Sequence, residues 1–209
     1  MKDRIYQTLC ERHTKEVQDQ LLKGRVAIAG LGGLGSTVAV ALTRIGVGHL
    51  HLIDYDLVDL SNLNRQQYRL KDIGKPKTEC LKEILADINP YLDVRIDTVK
   101  ICENNVKELF EEDDIICEAF DRPEEKSMLI DAVITHSTKQ KRIVCASGMA
   151  GFSSSNEIHT RKLSEQIYLC GDLTSGIETG NHLMAPRVGI CACHEANMIV
   201  RLLLGQEEA

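Results

Sequence analysis

Gly30-Leu31-Gly32-Gly33-Leu34-Gly35 satisfies the spacing G-x-G-x-x-G, with one extra glycine. It follows the β-prone run Arg25–Ala29 (RVAIA) and opens an apolar stretch of helical spacing that runs to Ile45. Glycine lets the backbone turn sharply and approach a phosphate with no Cβ in the way. The helix that follows offers free N–H groups and the positive end of its dipole. Gly30, Gly32, Gly33 and Gly35 are therefore candidate phosphate-binding positions. Asp54 stands nineteen positions after Gly35, at the tip of a second apolar run, Leu50–Ile53. A carboxylate there can accept hydrogen bonds from ribose hydroxyls. These features alone fit NAD as well as they fit ATP.

The residues beyond Asp54 separate the two. Asp54-Tyr55-Asp56 leads into Ser61-Asn62-Leu63-Asn64-Arg65-Gln66, then Gly74-Lys75-Pro76-Lys77 at a helix start, then Asp121-Arg122 after the strand Asp114–Cys117. In a parallel sheet all of these lie at the carboxyl ends of strands, the ligand side. Arg65 can fork onto phosphate oxygens and Lys77 can meet them as a point charge. Asp121 is a candidate magnesium ligand, because that ion takes one or two carboxylates together with phosphate oxygens. Asp56, Ser61, Asn62, Leu63, Asn64, Gln66 and Arg122 complete the candidate site. A triphosphate about to lose pyrophosphate needs extra cations and a metal-binding acid, and a dinucleotide has less need of either. Each residue also has a plain reading. Arg65 and Lys77 can be solvated surface charges, Asp54 and Asp56 turn acids, and Asp121 a cap on the helix that Pro123 starts. The combination at strand ends points to nucleotide chemistry.

Hydrophobic periodicity supplies the elements that position these groups. Polar residues 14–23 read as a helix, and residues 1–24 as an N-terminal helical segment ahead of an ATP-binding domain over 25–209. Helices are expected at Gly35–Ile45, Pro76–Ile88, Asn104–Phe110 and Pro123–Thr135. Strands are expected at Arg25–Ala29, Leu50–Ile53, Asp93–Val99, Asp114–Cys117 and Arg142–Ala146. Alternating strands and helices imply right-handed crossovers and a mainly parallel sheet with helices on both faces, an α/β Rossmann-like fold. After Gly148 short alternating runs flank a Ser153–Asn156 turn cluster, which predicts a short, partly antiparallel extension. Pro186 opens a last apolar helix to Leu204, closed by Gly205.

At 209 residues the chain can bury a sizeable core. Lys and Arg number 25 against 31 Asp and Glu, a net charge of −6 with no basic block, so no nucleic-acid partner is expected. No window of 18 apolar residues is present, and the polar start MKDRIYQTLC is no secretory signal, so a cytoplasmic protein without membrane contact is expected. The eight cysteines contain no C-x-x-C pair, and free thiols are the default. Cys117 and Cys145 read as small buried hydrophobes. Cys191 and His194 share a helical face, where a core helix is the preferred reading over a metal contact. Cys170 is the thiol to watch, without an assigned role.

The runs GLGGLGS, LIDYDLVDLSNLNRQ and GKPK, and the acid at the next strand end, resemble those of the ThiF and MoeB adenylating enzymes for ubiquitin-like sulfur carriers. The likeness extends over residues 12 to 204, and the terminal LMAPRVGICACHEANMIVRLLLG looks like the helix closing that domain. Its compact length is most similar to the short class called thiamine biosynthesis ThiF, family 2. The resemblance implies ATP and Mg2+ as cofactors, with Gly33 against the nucleotide, Asp54 on the ribose, Asn62 and Arg65 on the phosphates, Lys77 on the triphosphate and Asp121 on magnesium. It implies a homodimer in which an N-terminal arginine, Arg12 or its rival Arg4, is lent across subunits. The implied substrate is the C-terminal carboxylate of a small carrier protein ending in Gly-Gly, and a sulfur donor protein is a further partner. Thiamine thiazole synthesis is the implied setting. The cysteines hold no counterpart of the longer members' zinc site of two C-x-x-C pairs, and no extra domain with a thioester cysteine is expected. The rivals are an NAD-dependent oxidoreductase, a nucleotide-binding partner protein without catalysis, and a relative acting on another carrier or on a modified tRNA nucleoside.

Overall fold

Arg25–Ala29 lies between two glycines and forms β1, an interior strand of the seven-stranded sheet found among the residues that the computed structural model describes, 1–176 and 182–209. The other strands are β2 (His49–Ile53), β3 (Asp93–Asp97), β4 (Ile115–Glu118), β5 (Arg142–Ala146), β6 (His159–Lys162) and β7 (Ile167–Gly171). Their order is β3-β2-β1-β4-β5-β7-β6, and every pairing is parallel except β6 with β7. β1 pairs with β2 on one side, Val26 opposite Leu50, and with β4 on the other, Val26 opposite Ile115. The chain thus winds outward in both directions from β1. The crevice beyond the carboxyl ends of β1 and β4 is the switch point where ligands settle in such sheets.

The helices are α1 (Lys2–His13), α2 (Lys15–Leu21), α3 (Gly33–Arg44), α4 (Lys77–Ile88), α5 (Glu103–Leu109), α6 (Pro123–His136) and α7 (Ala185–Leu203). Period-two alternation divides β1 between two cores, because successive side chains point to opposite faces. Val26 and Ile28 join the core beneath α3, α4 and α7, while Ala27 and Ala29 join the one beneath α5 and α6. The mainly parallel sheet with helices on both faces and a short antiparallel pair at its end is the architecture the sequence predicts.

Two boundaries differ instructively. Helix α3 begins at Gly33, inside the glycine loop, rather than at Gly35. The extension expected after Gly148 continues the main sheet: β7 pairs in parallel with β5, Val144 opposite Tyr168. Tyr168 and Cys170 are fully buried against the core shared with α7, so β7 is a core strand and only β6 is an edge. At the N-terminus, Thr14 adopts a positive φ of 78° and separates α1 from α2. Leu21 is buried, and Gln18 donates to the Gly46 carbonyl at 3.0 Å, which fastens α2 to the turn after α3. No helix among the described residues is long and apolar enough to cross a membrane.

Candidate nucleotide site

A cavity of about 930 Å³ opens at the carboxyl ends of the strands. Gly30, Gly32, Gly33, Asp54 and Asp56 line it from the β1 and β2 side, with Asn62, Arg65, Gln66, Lys77 and Asp121 completing the wall. The remaining candidates lie off the wall. Gly35 packs behind the loop. The Ser61 hydroxyl and N–H both donate to Asp59, at 2.6 and 2.8 Å. Leu63 packs on the α3/α7 core, and Asn64 donates to the Leu183 carbonyl at 3.2 Å. Arg122 is exposed at the N-cap of α6. Arg12 is exposed on α1, whose Leu9 lies by Gly46, at the far end of α3 from the glycine loop. Within one chain Arg12 does not reach the cavity.

The glycine loop owes its shape to close approach. A Cβ on Gly35 would stand 1.9 Å from the Gly30 carbonyl oxygen and 3.0 Å from Ile28. Gly30 has φ +92° and lies against the Ala119 carbonyl, so the loop also fixes the turn after β4. Asp54 ties the loop to the strand tip. One carboxylate oxygen accepts the Leu31 N–H at 2.7 Å and the other accepts the Asp56 N–H at 2.8 Å. Asp54 is therefore a loop anchor as well as a candidate ribose contact. Burial pushes its carboxyl above the ordinary value, and the nearby Lys77 opposes this.

Asp59 caps the short 3-10 turn Leu60–Asn64, and Asn62 Oδ1 accepts the Asp59 N–H at 3.0 Å, closing a capping box. Arg65 follows, and its guanidinium donates to Asn64 Oδ1 at 2.8 Å, leaving further N–H groups for a ligand. Lys77 opens α4. Its ammonium lies 2.8 Å from Asp56 and 3.7 Å from Asp54, so a nucleotide phosphate would share it with these acids. Gln66 Oε1 is buried without a hydrogen-bond partner among the described residues. Asp121 is exposed on the cavity rim and makes no hydrogen bond or ion pair among the described residues. Its expected alternative as a helix cap does not apply: Arg122 occupies the N-cap of α6 and no side chain caps it. One unpaired carboxylate beside a phosphate cradle suits a hard cation that completes its shell with water and phosphate oxygens.

Several wall residues carry no motif. Ile53, Val99, Ile101 and Phe120 make an apolar end suited to a flat ring, and Lys126 of α6 reaches the cavity beside Asp121. Only the fold brings these together, though a glutamate closing the apolar strand IICE is a signal that sequence reading passes over. Another part of the lining, Ser147–Ala150 and Ser175, is backed by a buried ion pair between Asp172 and Arg187, and the Asp172 N–H donates to the Gly148 carbonyl at 3.0 Å. Arg187 also donates to the Ser154 carbonyl at 2.7 Å. Burial works to raise the Asp172 carboxyl, but hydrogen bonds from Ser175, Thr174 and Arg187 outweigh it and hold the group well below the usual carboxylate range. A depressed folded-state value means that the stabilisation is complete above the unfolded value, about 3.9, and disappears as pH falls through the folded value. Asp172→Asn should thus cost about 3 kcal/mol at neutral pH, the scale of a broken buried pair. In urea unfolding the gap from wild type should close in acid; a gap that does not depend on pH would count against the ionised pair.

The cysteines take no visible part in the cavity. Cys170 is fully buried in β7, and burial pushes its thiol up to about 12, so it is not a ready nucleophile here. Cys191 is buried, and His194 Nδ1 lies 3.0 Å from the Thr160 hydroxyl. A smaller depression of about 360 Å³, near Lys23, Arg142 and Glu207, lies toward the amino ends of the strands, away from these groups.

The sequence profile of the ThiF family matches residues 6–209. The chain belongs to the ThiF family. This ThiF-family chain is 32% identical over 197 residues to the molybdopterin-synthase adenylyltransferase of Haemophilus influenzae, covering 90% of this chain and 79% of that protein. It is 46% identical over 81 residues to the tRNA threonylcarbamoyladenosine dehydratase of Bacillus subtilis, covering 38% of this chain and 32% of that one. Other matches are to longer proteins: the chain spans 30% of the probable adenylyltransferase/sulfurtransferase MoeZ of Mycobacterium tuberculosis, at 32% identity over 56% of its own length. Among solved structures, the Escherichia coli tRNA N6-threonylcarbamoyladenosine dehydratase in complex with ATP superposes with a TM-score of 0.85 at 18% identity, covering 97% of this chain and 95% of that one.

Proposed function

We propose that this ThiF-family chain is an ATP-dependent adenylyltransferase acting on the C-terminal glycine carboxylate of a small ubiquitin-like sulfur carrier. The observation that carries the reading is that Arg65, Lys77 and Asp121 line one cavity together with the glycine loop. The likeness to the Haemophilus adenylyltransferase over most of both chains supports it. The carrier's carboxylate is already ionised at neutral pH, so no general base is required. Its oxygen bonds to the α-phosphorus, the bond from that phosphorus to the bridging oxygen breaks, pyrophosphate leaves, and an acyl adenylate remains. The protein's contribution is positioning and charge. The Gly30–Gly35 loop seats the phosphates, Asp54 receives the ribose, and Asn62 sets the turn that aims Arg65. Arg65 and Lys77 offset charge on the departing pyrophosphate. Asp121 would hold magnesium, which supplies further neutralisation of the phosphates. A sulfur donor would then displace AMP, with thiamine thiazole synthesis as the setting and the cytoplasm as the compartment. In a homodimer Arg12 is our candidate for the arginine lent across subunits.

Carrier-dependent exchange of labelled pyrophosphate into ATP tests this reading. Exchange should appear with a Gly-Gly-ended carrier and Mg2+ and be absent without the carrier. Thermal stabilisation by NAD but not by Mg-ATP would overturn it. A second reading, activation of a carboxyl on a modified tRNA nucleoside, is favoured by the near-complete superposition on the dehydratase. Exchange that requires modified tRNA in place of the carrier would select it.

A further inference from the structure

We propose that Glu118 and Lys126 are positioning residues for Asp121, acting as a charged strut that holds the turn 119–122 against the glycine loop. The inference deepens the adenylating reading and rests on it for the role of Asp121. Glu118 is the last residue of β4 and is fully buried, at the end of an otherwise apolar strand. Burying a carboxylate is costly unless its oxygens are paired with donors. Here one oxygen accepts the Phe120 N–H at 2.7 Å, and the Lys126 ammonium lies 3.0 Å from both oxygens. The carboxylate thus grips the turn from inside the strand, while Lys126 grips it from the first turns of α6. Asp121 lies between these two attachments.

An apolar pair would fill the same space at lower cost. What the ion pair adds is direction: the Phe120 N–H can point only at the carboxylate, and this orients the next residue. The opposite side of the turn is fixed sterically, since a Cβ on Gly30 would lie 2.9 Å from the Ala119 oxygen. Together the two restraints set the offset between the phosphate loop and Asp121. Burial works to lower the Lys126 ammonium, but Glu118 outweighs it and keeps the group protonated. An ammonium has three N–H groups. Two meet Glu118, and Lys126 lines the cavity, so the third can meet an anionic ligand there.

The test compares wild type with the double variant Glu118→Met/Lys126→Met, which keeps side-chain bulk and removes both the ion pair and the acceptor for the Phe120 N–H. Glu118→Asp, which keeps the charge but is one carbon shorter and cannot hold the Phe120 N–H and the Lys126 ammonium together as the glutamate does, is the second variant. Two quantities are read: amide hydrogen exchange at Phe120 and Asp121 in the free protein, and the Mg2+ concentration giving half-maximal tightening of ATP binding. Both variants should speed the two amides and raise the Mg2+ midpoint by about tenfold or more, the scale of losing an outer-shell partner of a metal ligand. ATP affinity without Mg2+ should change by less than about twofold in Glu118→Asp, which leaves the Lys126 ammonium in the cavity. A folded Glu118→Asp variant with the wild-type Mg2+ midpoint would overturn the proposal, and so would faster amide exchange without any change in the metal dependence. If wild-type ATP binding does not depend on Mg2+, it is the adenylating reading that fails. The strut then stands or falls on amide exchange alone, faster exchange supporting it and unchanged exchange refuting it.

Discussion

Asp121→Asn should lower carrier-dependent pyrophosphate exchange by about 10²-fold or more, by analogy with removing one preorganised stabiliser of a transition state. The substitution keeps the side chain's size and removes the charge that would hold magnesium. Because Asp121 is exposed and supports no other residue among those described, the fold should not change. Arg65→Ala should cost a similar factor, about 10², because it removes charge aimed at the leaving pyrophosphate. Lys77→Ala belongs to the same class, with an added consequence. Lys77 is buried and offsets both Asp54 and Asp56, so its removal leaves two neighbouring carboxylates to repel each other and the phosphates. Its ATP affinity should therefore fall along with the rate. Glu112, which pairs with Arg25 at the other end of the sheet, is the control, and its removal should leave exchange close to wild type. Wild-type exchange in both Asp121→Asn and Arg65→Ala would show that the assigned chemistry is wrong, even if ATP binds.

Gly35→Ala should unfold the nucleotide site, and with it much of the protein's stability. A Cβ at 1.9 Å from the Gly30 carbonyl oxygen cannot be accommodated by a side-chain shift, because the obstacle is backbone. Either α3 moves off β1 or the loop opens. In both cases the Leu31 N–H leaves Asp54 and the helix N-terminus no longer faces the phosphates. The cost is an overpacked core junction together with a lost buried hydrogen bond, about 3 kcal/mol or more in stability. ATP binding should be undetectable at concentrations that saturate wild type. Gly189→Ala is the internal comparison. Gly189 lies within α7 and a Cβ there meets nothing within 4 Å. Alanine at that position should stabilise the chain by about 0.5–1 kcal/mol. Equal melting temperatures for Gly35→Ala and wild type would show that the loop tolerates side chains, which would remove the steric argument for its sequence.

The sequence by itself determined the alternation of elements, because hydrophobic periodicity records which faces are buried. Strands at Arg25–Ala29 and Arg142–Ala146 are legible to the residue, and the helix expected to open at Pro76 begins one residue later, at Lys77, with Pro76 as its N-cap. So are the glycine loop and the acid at the second strand tip, since both are local devices whose spacing follows from one strand, one turn and one helix. Chain neighbours do not report distances across a sheet, and there the tertiary structure decided. It brought Gly30, Asp54, Arg65, Lys77 and Asp121 to one cavity, and it left Ser61, Leu63, Asn64 and Arg122 out of the lining, because a 3-10 turn and a helix start each present only some of their residues to one side. It made Asp54 an anchor for its own loop through two backbone N–H groups. It paired β7 with β5 in parallel, and β6 with β7 antiparallel, where periodicity suggested a less regular, partly antiparallel extension, because α7 covers Tyr168 and Cys170. It also placed Glu118 and Lys126, one at a strand end and one in the following helix, around the turn that carries Asp121. A buried charge is legible only once its partner is known, and the partner is set by how the strand and helix pack.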